Sequence, residues 1–206
     1  MKVKICGITN PEDALLCESC GADYLGFIFY KGSKRYVSFD EAKDIINKLS
    51  PGTVKVGVFV NEEPEMINKS AEFLHLDYVQ LHGNENPEVA DKINSKVIKA
   101  FRINDSFDFD GIKYFSNTVP LFDTHSQDKF GGTGEKFNWD VIPESLLDKI
   151  ILAGGISSAN IEYIYRHIKP MAVDVSSSLE LTPGMKDETK VKEFFNKIEQ
   201  LRSSKW

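Results

Sequence analysis

Residues 3–29, VKICGITNPEDALLCESCGADYLGFIF, read as one complete strand–helix–strand unit. Val3–Ile8 is a short run rich in β-branched residues, Tyr24–Phe29 is a second run with aromatics, and Pro11–Cys20 between them has the apolar spacing of a helix. Asn10-Pro11 supplies the helix start. The Asn side chain can accept from an unpaired first-turn amide, and Pro at the first helical position gives up an N–H that would have no helical partner. A crossover of this kind leaves the two strands parallel.

The same alternation continues along the chain. Runs at Val54–Val60, Tyr78–His82, Val97–Phe101, Val119–Asp123, Lys149–Ala153 and Ala172–Ser176 bring the predicted strands to eight. Helical stretches fall at Phe39–Leu49, Pro64–Leu74, Pro87–Ile93, Ser158–Ile168 and Glu188–Leu201, and Asn86-Pro87 repeats the first helix-start signal. Eight strand–helix units closing on themselves predict an α/β fold of the (βα)8 TIM-barrel type; an open doubly wound sheet is the alternative built from the same alternation. Nothing marks a linker, a repeat or a low-complexity tract, so residues 1–206 are expected to form a single domain. The longest irregular stretch, His125 to Asn138, reads as a functional loop.

Composition narrows the function. At 206 residues and 41% hydrophobic content the chain suits one compact core. It contains no apolar run near the roughly 18 residues of a membrane helix, and Met1–Asn10 lacks the order of a secretory signal, so a cytoplasmic protein without membrane association is expected. The formal charge is −6, with 25 basic residues scattered among 31 acidic ones, which argues against a nucleic-acid surface and leaves room for a small anionic ligand. Three cysteines in a chain without an export signal are expected to be free thiols.

In a βα-barrel the chemistry comes from the carboxyl ends of the strands and the loops after them. Those positions carry Cys6, Gln80 and His82, Arg102, Asp123, Gly154-Gly155, and Ser176-Ser177. Period-two alternation puts Cys6 on one face with Lys4, His82 with Gln80, and Asp123 with Leu121, while Val3 and Ile5 face the helices. A thiolate can take a proton from carbon, and a protonated carboxyl can give one to a sugar oxygen. Such a pair needs the thiol partly ionised and the carboxyl partly protonated near neutral pH. Gly154-Gly155 and Ser176-Ser177 follow strands seven and eight, where bare amides and hydroxyls suit phosphate; a short helix after Ser177 would add its positive end.

The segments KICGIT (4–9), GFIF (26–29), KRYV (34–37), VQLHG (79–83), FDT (122–124), GGTG (131–134) and AGGI (153–156) resemble the phosphoribosylanthranilate isomerase family in order and spacing over essentially the whole chain. The resemblance implies an acid–base Amadori rearrangement in tryptophan biosynthesis. Cys6 would be the general base, Asp123 the general acid and Arg35 the partner of the anthranilate carboxylate. Gln80 and His82 would line the pocket, and Gly154, Gly155, Ser176 and Ser177 would hold the phosphate. It implies no metal and no organic cofactor, a phosphorylated small-molecule substrate, and a monomer or homodimer. The family carries Gly shortly after the strand-eight serine, where this chain has Ser178. A Cβ there is compatible with negative φ, so altered loop geometry or affinity is expected ahead of loss of activity.

Blander readings stand beside these. A lone Cys6 is usually a buried structural thiol, Asp123 a turn cap, Arg35 a solvated charge and GGTG a plain flexible loop; it is their joint pattern that favours a site with a lid. Cys17 and Cys20 have redox or zinc spacing but no second pair, and are taken as helix-packing residues. His75, His125 and His167 show no ligand spacing, although Asp123 with His125 would be a start for metal. Lys4 faces inward and, as a buried ammonium, must be paired or discharged, with Asp174 as the expected partner. Competing functions are another phosphosugar barrel enzyme, including a Schiff-base aldolase using Lys4 or Lys99, and a phosphate-binding barrel without turnover.

Overall fold

The computed structural model describes residues 1–104, 106–124 and 139–204. Eight parallel strands form a closed barrel: β1 (Lys2–Cys6), β2 (Tyr24–Ile28), β3 (Val54–Phe59), β4 (Tyr78–Leu81), β5 (Lys96–Ile103), β6 (Thr118–Thr124), β7 (Ile151–Leu152) and β8 (Ala172–Val175). Closure rests on β1 pairing with β8, Lys4 beside Asp174 and Ile5 beside Val175, and this pairing rules out the open sheet. The helices outside are α1 (Pro11–Ser19), α2 (Phe39–Ile46), α3 (Pro64–Leu74), α4 (Pro87–Asp91), α5 (Glu144–Leu147), α6 (Ile161–Tyr163) and α7 (Glu188–Ser203).

The caps work as their sequences imply. Asn10 Oδ1 accepts from the Asp13 amide at 2.8 Å and Asn86 Oδ1 from that of Val89 at 3.1 Å, each satisfying a first-turn donor. Ser38 and Glu41 close a capping box at the start of α2. Alternation then divides each strand. Val3, Ile5, Leu25 and Phe27 are fully buried against the helices, each contributing roughly 1.5–3 kcal/mol by leaving water. Tyr24, Val56, Ile98, Leu121, Ile151 and Ala172 fill the barrel interior as a second cluster, so the barrel is packed below its mouth.

Among the described residues, three places depart from regular helical alternation. Between β5 and β6 the chain makes a 3-10 turn, Phe109–Phe115, and covers the sheet with rings: Phe115 lies 5.3 Å from Phe101 and Phe109 5.7 Å from Phe122. Aromatic area replaces a helix face here. After β8 comes an unpredicted antiparallel hairpin, β9 (Glu180–Thr182) and β10 (Met185–Lys186), turning at Pro183-Gly184 with Gly184 at φ +88°. The predicted helix Ser158–Ile168 is a short α6 that widens into an i→i+5 turn over Ile164–Ile168.

Candidate active site

At the carboxyl ends of the strands lies a cleft whose empty space, continuous with solvent, is about 780 Å³. All nine residues singled out as catalytic or substrate-binding line it: Cys6, Arg35, Gln80, His82, Asp123, Gly154, Gly155, Ser176 and Ser177. They come from six strands and the loops after them, β1, β2, β4, β6, β7 and β8, which only closure can bring together. His125 and the Gly131–Gly134 loop lie outside the described residues.

Glycines open the space that the larger groups occupy. A Cβ on Gly26 would sit 2.9 Å from Lys4 Nζ and 3.0 Å from Cys6 Sγ, so both atoms crowd against the bare β2 backbone. Gly7 has φ +78°, and a Cβ there would lie 2.6 Å from Arg35 Cδ. The Gly after Cys6 therefore lets Arg35 lie across the end of β1.

Arg35 is not a loose loop charge. Glu180 holds it through two parallel bonds, Nε–Oε1 at 2.8 Å and Nη2–Oε2 at 2.7 Å, and Lys186 Nζ meets the same carboxylate at 2.9 Å while donating to the Cys6 carbonyl at 2.7 Å. Fork-on-carboxylate pairing fixes the guanidinium plane and leaves three of its N–H groups for other acceptors. Burial pushes the Glu180 carboxyl up, but hydrogen bonds from Arg35 and the Lys186 charge more than offset this and hold it below its usual value. With the folded value below the ordinary one, the cluster stabilises the protein above about pH 4.5 and loses that contribution as pH falls through the folded value. Glu180→Gln is expected to lower stability by about 3 kcal/mol at neutral pH and to flatten the acid limb, read by urea unfolding across pH.

Asp123 faces His82, with Oδ2 3.4 Å from Nε2, and His82 Nδ1 lies 2.7 Å from Gln80 Nε2. With the Gln80 amide donating, Nδ1 accepts and the ring proton lies on Nε2, towards the carboxylate. Across the mouth, Gly154 and Gly155 take φ +85° and +63°. Asn160 braces that loop by accepting from the Ser157 amide at 2.9 Å and donating to the Gly155 carbonyl at 2.8 Å. The Ser176 hydroxyl donates to the Cys6 carbonyl at 3.0 Å, tying β8 to β1. Ser177 opens a 3-10 turn of only three residues, Ser177–Leu179, in place of the expected helix, so its dipole is small. Ser178 is not among the residues of positive φ, and its hydroxyl donates to the Ile156 carbonyl at 2.6 Å, linking the two glycine- and serine-bearing loops.

Lys4 and Asp174 form the expected pair, with Nζ 3.0 Å from both carboxylate oxygens. The expectation of a partly ionised thiol fares differently. Burial pushes the Cys6 thiol up, against the pull of Lys4 and Lys186. Lys99 points away from the cavity to Glu85, 2.7 Å away, and Lys4 is fully buried beneath it, so neither ammonium is presented as a Schiff-base nucleophile. Cys17 is a fully exposure-free packing residue of α1 whose thiol burial pushes up to about 12. Reading the sequence missed Glu180, Lys186 and Asn160. The Pro183-Gly184 dipeptide was the available signal for the hairpin that carries the first two.

Known proteins resemble this chain over nearly its whole length. Residues 3–197 match the family model described as N-(5′-phosphoribosyl)anthranilate (PRA) isomerase. The enzyme named N-(5′-phosphoribosyl)anthranilate isomerase from Trichlorobacter lovleyi is 45% identical over 97% of this chain and 98% of its own length. The crystal structure of phosphoribosyl anthranilate isomerase from Thermus thermophilus superposes with a TM-score of 0.89 at 36% identity, covering 98% of this chain and all of the other. Another phosphoribosyl anthranilate isomerase, in complex with reduced 1-(o-carboxyphenylamino)-1-deoxyribulose 5-phosphate, superposes with a TM-score of 0.86 at 39% identity, covering 97% and 99% of the two chains. With a closed barrel, a mouth built from the anticipated residues and near full-length likeness on both sides, the chain belongs to the N-(5′-phosphoribosyl)anthranilate isomerase family.

Proposed function

We propose that this chain converts N-(5′-phosphoribosyl)anthranilate to 1-(2-carboxyphenylamino)-1-deoxyribulose 5-phosphate, with Asp123 as general acid and Cys6 as general base. The observation that carries the reading is the opening of Cys6 and Asp123, from β1 and β6, onto one cavity whose rim holds paired glycines and serines on one side and Arg35 on another. Asp123 gives its proton to the furanose ring oxygen, and the ring opens to a Schiff base. Cys6 as thiolate takes the proton from C2′, and the resulting enolamine relaxes to the keto product. Arg35, its plane set by Glu180, meets the anthranilate carboxylate with its remaining N–H groups. The phosphate lies against the backbone amides of Gly154, Gly155 and Ser177, where glycine lets oxygen approach the N–H groups. The family match and the product analogue bound by a structural neighbour support this substrate class.

The test is the loss of anthranilate fluorescence when the purified protein meets freshly generated phosphoribosylanthranilate. Enzymatic turnover is expected. No turnover, with retained binding of the reduced product analogue, would turn the reading into that of a phosphate-binding barrel.

A further inference from the structure

At the floor of the cavity, which Cys6 and Asp174 both line, the Cys6 thiol is part of an array that the acid–base reading leaves unused. Lys4 is fully buried, pairs with both oxygens of Asp174 at 3.0 Å, and its positive charge also acts on the Cys6 sulfur. Its Nζ and the Cys6 Sγ converge on the bare Cα of Gly26, where no side chain separates them. One cation thus lies between two acids, a thiol on β1 and a carboxyl on β8.

We propose that Cys6 and Asp174 share one proton across the Lys4 ammonium, so that Asp174 is the resting acceptor of the thiol proton and Lys4 the positioning residue that makes the exchange neutral. The proposal rests on the reading of Cys6 as the base. Written out, Lys4 passes an N–H proton to Asp174 while the Cys6 S–H proton passes to Lys4. The S–H bond breaks, an O–H bond forms on Asp174, and Lys4 ends as the ammonium it began as. The array carries no net charge before or after. That neutrality is what a water-poor site requires, since ionising a buried thiol to solvent would leave an extra charge in low dielectric. The transfer yields the thiolate that the C2′ proton needs, and the titration belongs to the array as a whole.

The surroundings agree. Burial pushes both the Cys6 thiol and the Asp174 carboxyl up, the directions expected of two acids competing for one proton. Lys4, which burial would discharge, is held above its usual value by Asp174 and Cys6. Among the described residues, the other titratable or charged groups facing the array are Lys186 and Arg35, beside Cys6, and Asp123 and His82, beside Asp174.

The test is the pH dependence of Cys6 alkylation by iodoacetamide in the ligand-free protein. Cleavage after Glu12 separates Cys6 from Cys17 and Cys20 for mass spectrometry. Asp174→Asn keeps the shape and removes the competing acid, so Lys4 pairs with the thiolate. The alkylation midpoint is expected to fall by about one pH unit or more, with roughly tenfold faster labelling on the acid side of the wild-type midpoint. The double variant Lys4→Met/Asp174→Asn, which leaves no buried charge unpaired, is expected to raise the midpoint again by about as much. A midpoint in Asp174→Asn equal to or above that of the wild type, or a double variant as low as Asp174→Asn, would overturn the proposal. Labelling needs no turnover, so the result stands apart from the fluorescence assay of the isomerase reading.

Discussion

Cys6→Ala is expected to lower kcat on the order of 10³–10⁴-fold with little change in the affinity for the reduced product analogue. A positioned base is worth about this much, and four decades correspond to roughly 5.5 kcal/mol of transition-state stabilisation. The loss should fall on kcat because alanine leaves the rim of the cavity intact: the Cys6 carbonyl still accepts from Ser176 and Lys186 through the backbone. Alanine also leaves Lys4 paired with Asp174, so the fold should hold and thermal unfolding should shift little. Single-turnover fluorescence and calorimetric titration with the analogue read the two quantities separately. A variant that binds and turns over like the wild type would remove Cys6 from the mechanism while leaving fold and reaction standing.

Asp123→Asn is the second large effect, expected at roughly 10³–10⁴-fold in kcat by the loss of the acid. Asparagine matches the carboxyl in shape, so the contact with His82 can persist, but an amide cannot deliver a proton to the ring oxygen. Ring opening then becomes the slow step, whereas in Cys6→Ala the slow step is loss of the C2′ proton. A substrate deuterated at C2′ should separate them, with an isotope effect in Cys6→Ala and almost none in Asp123→Asn. Equal isotope effects in the two variants would contradict the assignment of separate roles.

Much of this protein is legible in its sequence. Every predicted strand recurs within two residues of its expected ends, because apolar alternation is local and a one-residue slip would turn a whole inward face outward. The same alternation placed Lys4, Cys6, Gln80 and Asp123 towards the barrel interior. Even the Lys4–Asp174 pair followed from the cost of an unpaired buried ammonium, although 170 residues separate the partners. The β5–β6 connection was less legible: Phe107, Phe109 and Phe115 cover the sheet as a ring cluster without helical spacing.

What the sequence determined by itself is therefore the set of elements, their alternating faces and the residue types at the strand ends, all properties carried by neighbours a few positions apart. What only the tertiary structure decided is which charges gather around Arg35 and the Cys6 carbonyl. Glu180 lies 145 positions from Arg35, and Lys186 lies 180 from Cys6. A buried charge must find an opposite charge in space and not along the chain, so these contacts exist only once β1 has closed on β8 and the hairpin has folded beside them.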